Sequence, residues 1–321
     1  MISILRQTLL AALAALTWAA AAGSSDPLRF GVVPTESAGA LRRDYEPIRI
    51  ALEQTLERPV QMFFAPDYTS VIEALRFGKL ELALLGNNAA IDAIDRAGGT
   101  VIAQAVNTEG VAGYWSLIIV AHDSPVQSLQ DLIDRRTRLT LGLCDAQSTS
   151  GNLVPGYYAF GRNGINPTRD FKATRLATHE ANILAVAKGQ IDACATSSET
   201  LERLLERQPP LRARLREVWR SPLIPSDPLV VKTSLPEATR AAVQAFFVAY
   251  GSTPEGRAAL GRLTWSAFQV SSDTQLHPLR ILRLQRERTL VEADPSLAPA
   301  AREQRLADLA ARIEALAGEA R

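Results

Sequence analysis

One arrangement is written twice in this chain: three short apolar runs separated by two amphipathic stretches. The first copy has strand-like runs at Leu28–Val33, Val60–Phe64 and Leu80–Leu85, with helical patterns over Tyr45–Leu56 and Tyr68–Gly78 between them. The first of these helices carries Ile48, Ile50, Leu52 and Leu56 among its apolar positions. The second copy runs Leu139–Leu143, Lys172–Leu176 and Ile191–Ala195 as strands. Its helices are Gly151–Arg162, broken near Pro155, and Asn182–Gly189. The order β-α-β-α-β with short turns predicts a mostly parallel sheet with helices on its faces. Two copies predict two α/β lobes.

Two segments carry the chain between the lobes. Tyr114–Val120 is strongly β and runs into the turn His122-Asp123-Ser124-Pro125, while Ser221–Pro228 contains three prolines that bar a helix and favour extended backbone. Two crossings describe a hinged clamshell whose cleft lies at the C-terminal ends of the parallel strands. The expected divisions are a leader at 1–22, lobe one at 26–120, lobe two at 121–225, a return to lobe one at 226–278 and a helical tail at 279–321. In that tail Leu306, Leu309, Ile313 and Leu316 form one apolar stripe. The stripe is too short to hold an isolated helix in water, so it must pack on the body of the chain or on a second copy.

The leader reads as an export signal. Arg6 precedes an apolar segment from Leu9 to Ala22 that ends in small residues, which places cleavage near Ala22 and the mature protein in the periplasm. Formal net charge is +1, and loss of Arg6 with the leader leaves the mature chain neutral. Neutrality gives no electrostatic footprint for nucleic acid or an anionic membrane. Two cysteines, Cys144 and Cys194, cannot make a disulfide scaffold, although each ends a strand in the same half of the chain and a bond between them is conceivable.

Chemistry concentrates where the strand Leu139–Leu143 ends. Gln147 is followed by Ser148, Thr149, Ser150 and Gly151, three hydroxyls in a row at a strand-to-helix turn. Such a turn gathers unpaired backbone N–H groups and the positive end of a helix dipole, which suits a small oxyanion held without a metal. No Gly-Lys-Ser/Thr phosphate loop, Gly-x-Ser-x-Gly elbow or His-Glu-x-x-His is present, and the three histidines (His122, His179, His277) stand in separate segments. The expectation is a binding protein with no cofactor and no metal site, not an enzyme. A cleft enzyme on the same fold would need a nucleophile or metal set that the sequence does not supply, and a sensory module would need an attached signalling segment.

The chain resembles the periplasmic phosphonate-binding proteins that serve phosphonate ABC importers. The resemblance runs from about Leu28 to Gly251. It is carried by Asp67–Glu73, Gly113–Ser116, Ser148–Gly151, Leu153–Tyr158 and Ser221–Pro225. It implies a type II two-lobe clamshell that delivers its ligand to an inner-membrane permease. It also implies that Ser148, Thr149, Ser150, Tyr68, Tyr114 and His179 grip the phosphonate group. Glu199 and Asp227 would pair with a ligand ammonium, which makes 2-aminoethylphosphonate the expected ligand. Phosphite, alkylphosphonates and phosphate esters are the alternatives. Thr196 and Ser197 stand where the family commonly has Asn. The resemblance further implies a homodimer through C-terminal helices as one partner for the tail.

Overall fold

Strand-forming apolar runs and helical stripes of period 3.6 succeed one another from Leu28 to Val270, and the elements described beyond are helical. The structure, a computed structural model, describes residues 26–319. The segment read as an export leader lies outside them.

The first sheet takes β1 (Leu28–Val32), β2 (Val60–Phe64), β3 (Leu82–Leu84), β4 (Gly99–Asn107), β12 (Pro228–Lys232) and β13 (Trp265–Val270), in the order β13-β4-β12-β3-β1-β2. The second takes β6 (Ser116–Ala121), β7 (Thr140–Leu143), β8 (Ala173–Leu176), β9 (Ala193–Ser197) and β10 (Leu215–Arg220), in the order β10-β6-β9-β7-β8. The repeat is real. Each lobe builds a parallel trio (β2-β1-β3 and β8-β7-β9) and then adds, antiparallel, the strand that has just crossed from the other lobe (β12 and β6). The fold is the expected two-lobe α/β clamshell, but its sheets are mixed and not mostly parallel. The strands that follow the crossings, and their neighbours β4, β13 and β10, all pair antiparallel. Ser116–Ala121, which a boundary at residue 120 would leave in the first lobe, is the second strand of the second sheet.

Between the sheets run β5 (Gly113–Tyr114) and β11 (Ile224–Pro225), which pair with each other as a two-stranded ladder. Gly113 permits this approach: a Cβ there would stand 2.8 Å from Leu223 and 2.9 Å from the Ile224 carbonyl.

Helices cover both faces of each sheet. On the first, α1 (Ala38–Leu56), α7 (Glu237–Tyr250) and α8 (Pro254–Gly261) pack over one face. The other face carries α2 (Tyr68–Arg76), α3 (Asn87–Ala97) and the start of α9 (His277–Glu292). Helix α1 begins seven residues before the expected Tyr45, because Leu41 extends the buried stripe Tyr45, Ile48, Leu52 by one more turn. On the second sheet, α4 (Leu129–Arg135) lies on one side, with α5 (His179–Ala187) and α6 (Ser198–Arg207) on the other.

The tail finds its partner in the same chain. Helix α10 (Pro299–Glu319) folds back on α9, burying Leu309 against Leu284 and Val291, with Leu306, Ile313 and Leu316 packed beside them. The stripe that asked for a neighbour is thereby satisfied without a second copy. Cys144 and Cys194 are both buried as free thiols, so the conceivable disulfide is not formed. The Cys144 sulfur instead lies 3.8 Å from the Ala195 carbonyl and 3.9 Å from the Asn182 amide.

Candidate functional site

Where the lobes meet they enclose a narrow cavity of about 30 Å³, traced by the centre of a water-sized sphere. That is room for about two or three water-sized groups, so the lobes would have to part slightly around a phosphonate. All eight residues singled out from the sequence line it: Tyr68, Tyr114, Ser148, Thr149, Ser150, His179, Glu199 and Asp227.

One end is a donor cluster. The segment expected to be a helix from Gly151 starts two residues earlier, as a π-type turn over Thr149–Leu153 in which the Leu153 N–H reaches the Ser148 carbonyl at 3.1 Å. Wider turns of this kind recur at functional sites. Among the described residues the N–H groups of Thr149 and Ser150 find no acceptor. Ser148 caps the turn, its oxygen accepting from the Gly151 N–H at 3.1 Å.

His179 opens α5 directly behind Ser148. Its Nδ1 accepts the Ser197 N–H at 3.2 Å and lies 3.1 Å from the Thr196 hydroxyl, which leaves the proton on Nε2, 3.2 Å from Ser148 Oγ. With two N–H groups pointed at its oxygen, Ser148 has its own O–H proton left to donate, and the Tyr68 phenol lies within hydrogen-bonding reach of it. Burial, helped by the Arg203 charge, pulls the His179 pKa down to about 4, so the ring is neutral at pH 7. Tyr68 and Tyr114 are buried at the wall, and burial pushes both phenols well above their ordinary range. Both are hydrogen donors under all ordinary conditions.

The other end is acidic. Glu199 stands in the first turn of α6, with Oε1 accepting the Trp265 indole N–H at 2.9 Å. Asp227 lies between β11 and β12; its buried Oδ1 has no hydrogen-bond partner among the described residues, while the Tyr114 phenol hydrogen-bonds to the carboxyl and holds its pKa down somewhat. Burial raises both carboxyls, and the Glu199 charge raises Asp227 further. Gly86 faces the same space: a Cβ there would stand 3.2 Å from Thr149 Oγ1 and 4.0 Å from Asp227 Oδ1.

The two lobes are tied together on both sides of the cavity. On one side Arg203 of α6 reaches Glu36, after β1, at 2.7 Å, and Arg207 pairs with the same carboxylate and with Asp44 at 3.3 Å. Burial would raise Glu36, but the two guanidiniums outweigh it and the net shift is downward. On the other side the Asn88 N–H donates to Thr149 Oγ1 at 2.9 Å, and Gln147 donates to Asp92 at 2.7 Å. Arg203, Trp265 and Gly86 line the cavity but were not read from the sequence. Arg203 follows Glu199 by one helical turn, yet its partner Glu36 is 167 residues away. Trp115 is partly buried, packed on the second-lobe core with the Arg220 guanidinium 5.1 Å from its ring. Among the described residues no group of three or more His, Cys, Asp or Glu is placed to hold a metal ion.

Comparison with known proteins gives this geometry a family. The family described as "ABC transporter, phosphonate, periplasmic substrate-binding protein" matches residues 30–276. The phosphonates-binding periplasmic protein of Escherichia coli K12 is 45% identical over 270 residues, covering 84% of this chain and 80% of the relative. The chain belongs to the phosphonate-binding periplasmic proteins of ABC transporters. A solved binding-protein component of an ABC phosphonate transporter from Pseudomonas aeruginosa superposes with a TM-score of 0.89 at 40% identity, covering 92% of this chain and 98% of that one. PhnD1 from Prochlorococcus marinus, solved with methylphosphonate, shares the fold with a TM-score of 0.71 at 19% identity, over 79% of this chain and 96% of its own. As a member of this family the chain is the periplasmic phosphonate-binding component of an importer. It works with a membrane permease and is a binding protein, not an enzyme.

Proposed function

We propose that the cavity selects a zwitterionic phosphonate, 2-aminoethylphosphonate first. The phosphonate group would sit against Ser148, Thr149, Ser150, Tyr68, Tyr114 and His179, and the ammonium between Glu199 and Asp227. The observation that carries this reading is the buried, unpartnered Asp227 Oδ1 in the same cavity as a cluster of N–H and O–H donors. A buried polar atom without a partner is costly, and an ammonium offsets that cost.

The two carboxylates also come from different parts of the clamshell and act on each other electrostatically: Glu199 rides on α6 of the second lobe, and Asp227 sits in the link that leads from β11 into β12 of the first sheet. A ligand cation between them would favour closure, while an alkylphosphonate or phosphite would leave the acidic end unpaired. The first residues belong to the same reading: the leader is removed near Ala22, which mass spectrometry of the mature protein tests.

Calorimetric titration of refolded protein with 2-aminoethylphosphonate, methylphosphonate, phosphite and a phosphate monoester decides the ligand. The expected order places the aminophosphonate tightest. Methylphosphonate or phosphite binding as tightly would overturn the role given to the acidic end.

A further inference from the structure

Helix α9 starts on the first lobe and runs onto the second. Leu276, Leu279 and Leu282 are buried in one cluster with Leu153 and Val154, which belong to the far side of the cleft. Arginines at positions 283 and 286, adjacent on one helical face, then reach the hydroxyl-bearing turn.

Arg283 donates from Nη1 to Asp92 at 2.7 Å and from Nη2 to the Asn88 carbonyl at 2.6 Å and Gln147 Oε1 at 3.2 Å, with its Nε on Asn88 Oδ1. Gln147 immediately precedes Ser148, and Asn88 is the residue whose N–H meets the Thr149 hydroxyl. Arg286 donates to Asn152 Oδ1 at 2.8 Å, and Asn152 in turn donates to the Cys144 carbonyl at 3.0 Å. Both ends of the loop that presents Ser148, Thr149 and Ser150 are therefore tied to α9.

The contact at Arg286 is close. A Cβ on Gly156 would stand 2.9 Å from the guanidinium carbon, so a glycine is needed beneath it. Among the described residues Arg286 makes no ion pair, and burial lowers its pKa. A cation held out of water without a carboxylate leaves its charge for some other anion nearby.

We propose that Arg283 and Arg286 are positioning residues for the anion end of the cavity. They hold the Gln147–Asn152 turn in the shape that converges its donors, and Arg286 biases the site toward the fully ionised phosphonate. The proposal rests on reading that turn as the anion grip.

The test uses the mature full chain and two probes, methylphosphonate and 2-aminoethylphosphonate, titrated on either side of the second ionisation of the phosphonate group. Arg283→Met and Arg286→Met should each weaken both probes by about tenfold, the worth of one charge-assisted hydrogen bond. The loss should be equal for the two probes, since both present the same group to the turn. In Arg286→Met the gain in affinity across the ionisation should shrink, and Arg286→Lys should restore it. Gln147→Ala and Asn152→Ala cut the same contacts from the turn side, should either arginine variant fail to fold. Unchanged affinity in the folded variants overturns the proposal, as does a loss confined to the aminophosphonate. Ser148→Ala runs alongside. If it too leaves both probes unaffected, the anion-grip reading itself has failed; if it alone weakens them, only the arginine proposal has.

Discussion

Asp227 and Glu199 are both buried acids, yet they are not equivalent, and the difference sets the size of a measurable effect. Glu199 already accepts the Trp265 N–H at 2.9 Å and lies in the field of Arg203. Asp227 Oδ1 has no partner among the described residues. An ammonium therefore gains more at Asp227. Replacing Asp227 by Asn preserves shape but removes the charge, which amounts to losing one charge-assisted bond, about 1.5–3 kcal/mol or roughly 10–100-fold in Kd for 2-aminoethylphosphonate. Glu199→Gln removes a charge that the Arg203 guanidinium and the Trp265 N–H already partly offset, so its effect should be smaller by about 1 kcal/mol. Methylphosphonate, with nothing to offer either acid, should bind Asp227→Asn as well as the parent or slightly better. Calorimetric titration of the two ligands against the two variants gives all four numbers. Equal losses for both ligands, or a larger effect at Glu199 than at Asp227, would refute the reasoning.

Three further outcomes follow from the same geometry. Replacing Ser148, Thr149 and Ser150 together by Ala should weaken every phosphonate by at least about tenfold, because all ligands share that end; a titration panel with one unaffected member would remove the turn from the site. Because Asp227 and Glu199 are raised above their unfolded values, they favour folding most at acid pH, and that contribution is lost as pH rises through their folded pKa values. An ammonium between them should restore ionisation, so binding 2-aminoethylphosphonate should release more protons than binding methylphosphonate, read from the buffer dependence of the calorimetric heat. Ending the chain at Asp294 should expose Leu284 and Val291, remove about 3 kcal/mol of burial and lower the Tm by roughly 5 °C, measured by scanning calorimetry.

The parallel trios were legible because Val, Ile, Leu and Phe crowd into runs such as Leu28–Val32 and Val60–Phe64 with turn residues beside them. Strand β4 was not, since Ala103 and Ala105 fill buried positions that a stronger apolar residue would have announced. Helix α3 hides for the same reason, its buried face being largely Ala89, Ala90, Ala93 and Ala97. In the cavity, the hydroxyl run and the two acids stand at turns that end strands, a position sequence can mark. The Arg203–Glu36 pair joins segments with no common pattern, so only the folded chain brings them together. The tail stripe was visible, but an apolar face does not say whether its partner is the same chain or another.

The ladder between β5 and β11 puts Tyr114 in an unusual place: it is part of the pivot as well as part of the wall. A residue in the pivot keeps nearly the same relation to the first lobe whether the jaws are apart or together. A contact made equally in both states adds affinity to each and shifts the balance between them not at all. With a ligand seated as proposed, Tyr114 would set how firmly it is first lodged, whereas Ser148, Thr149 and Ser150, which arrive only with the second lobe, would set how firmly the jaws stay shut.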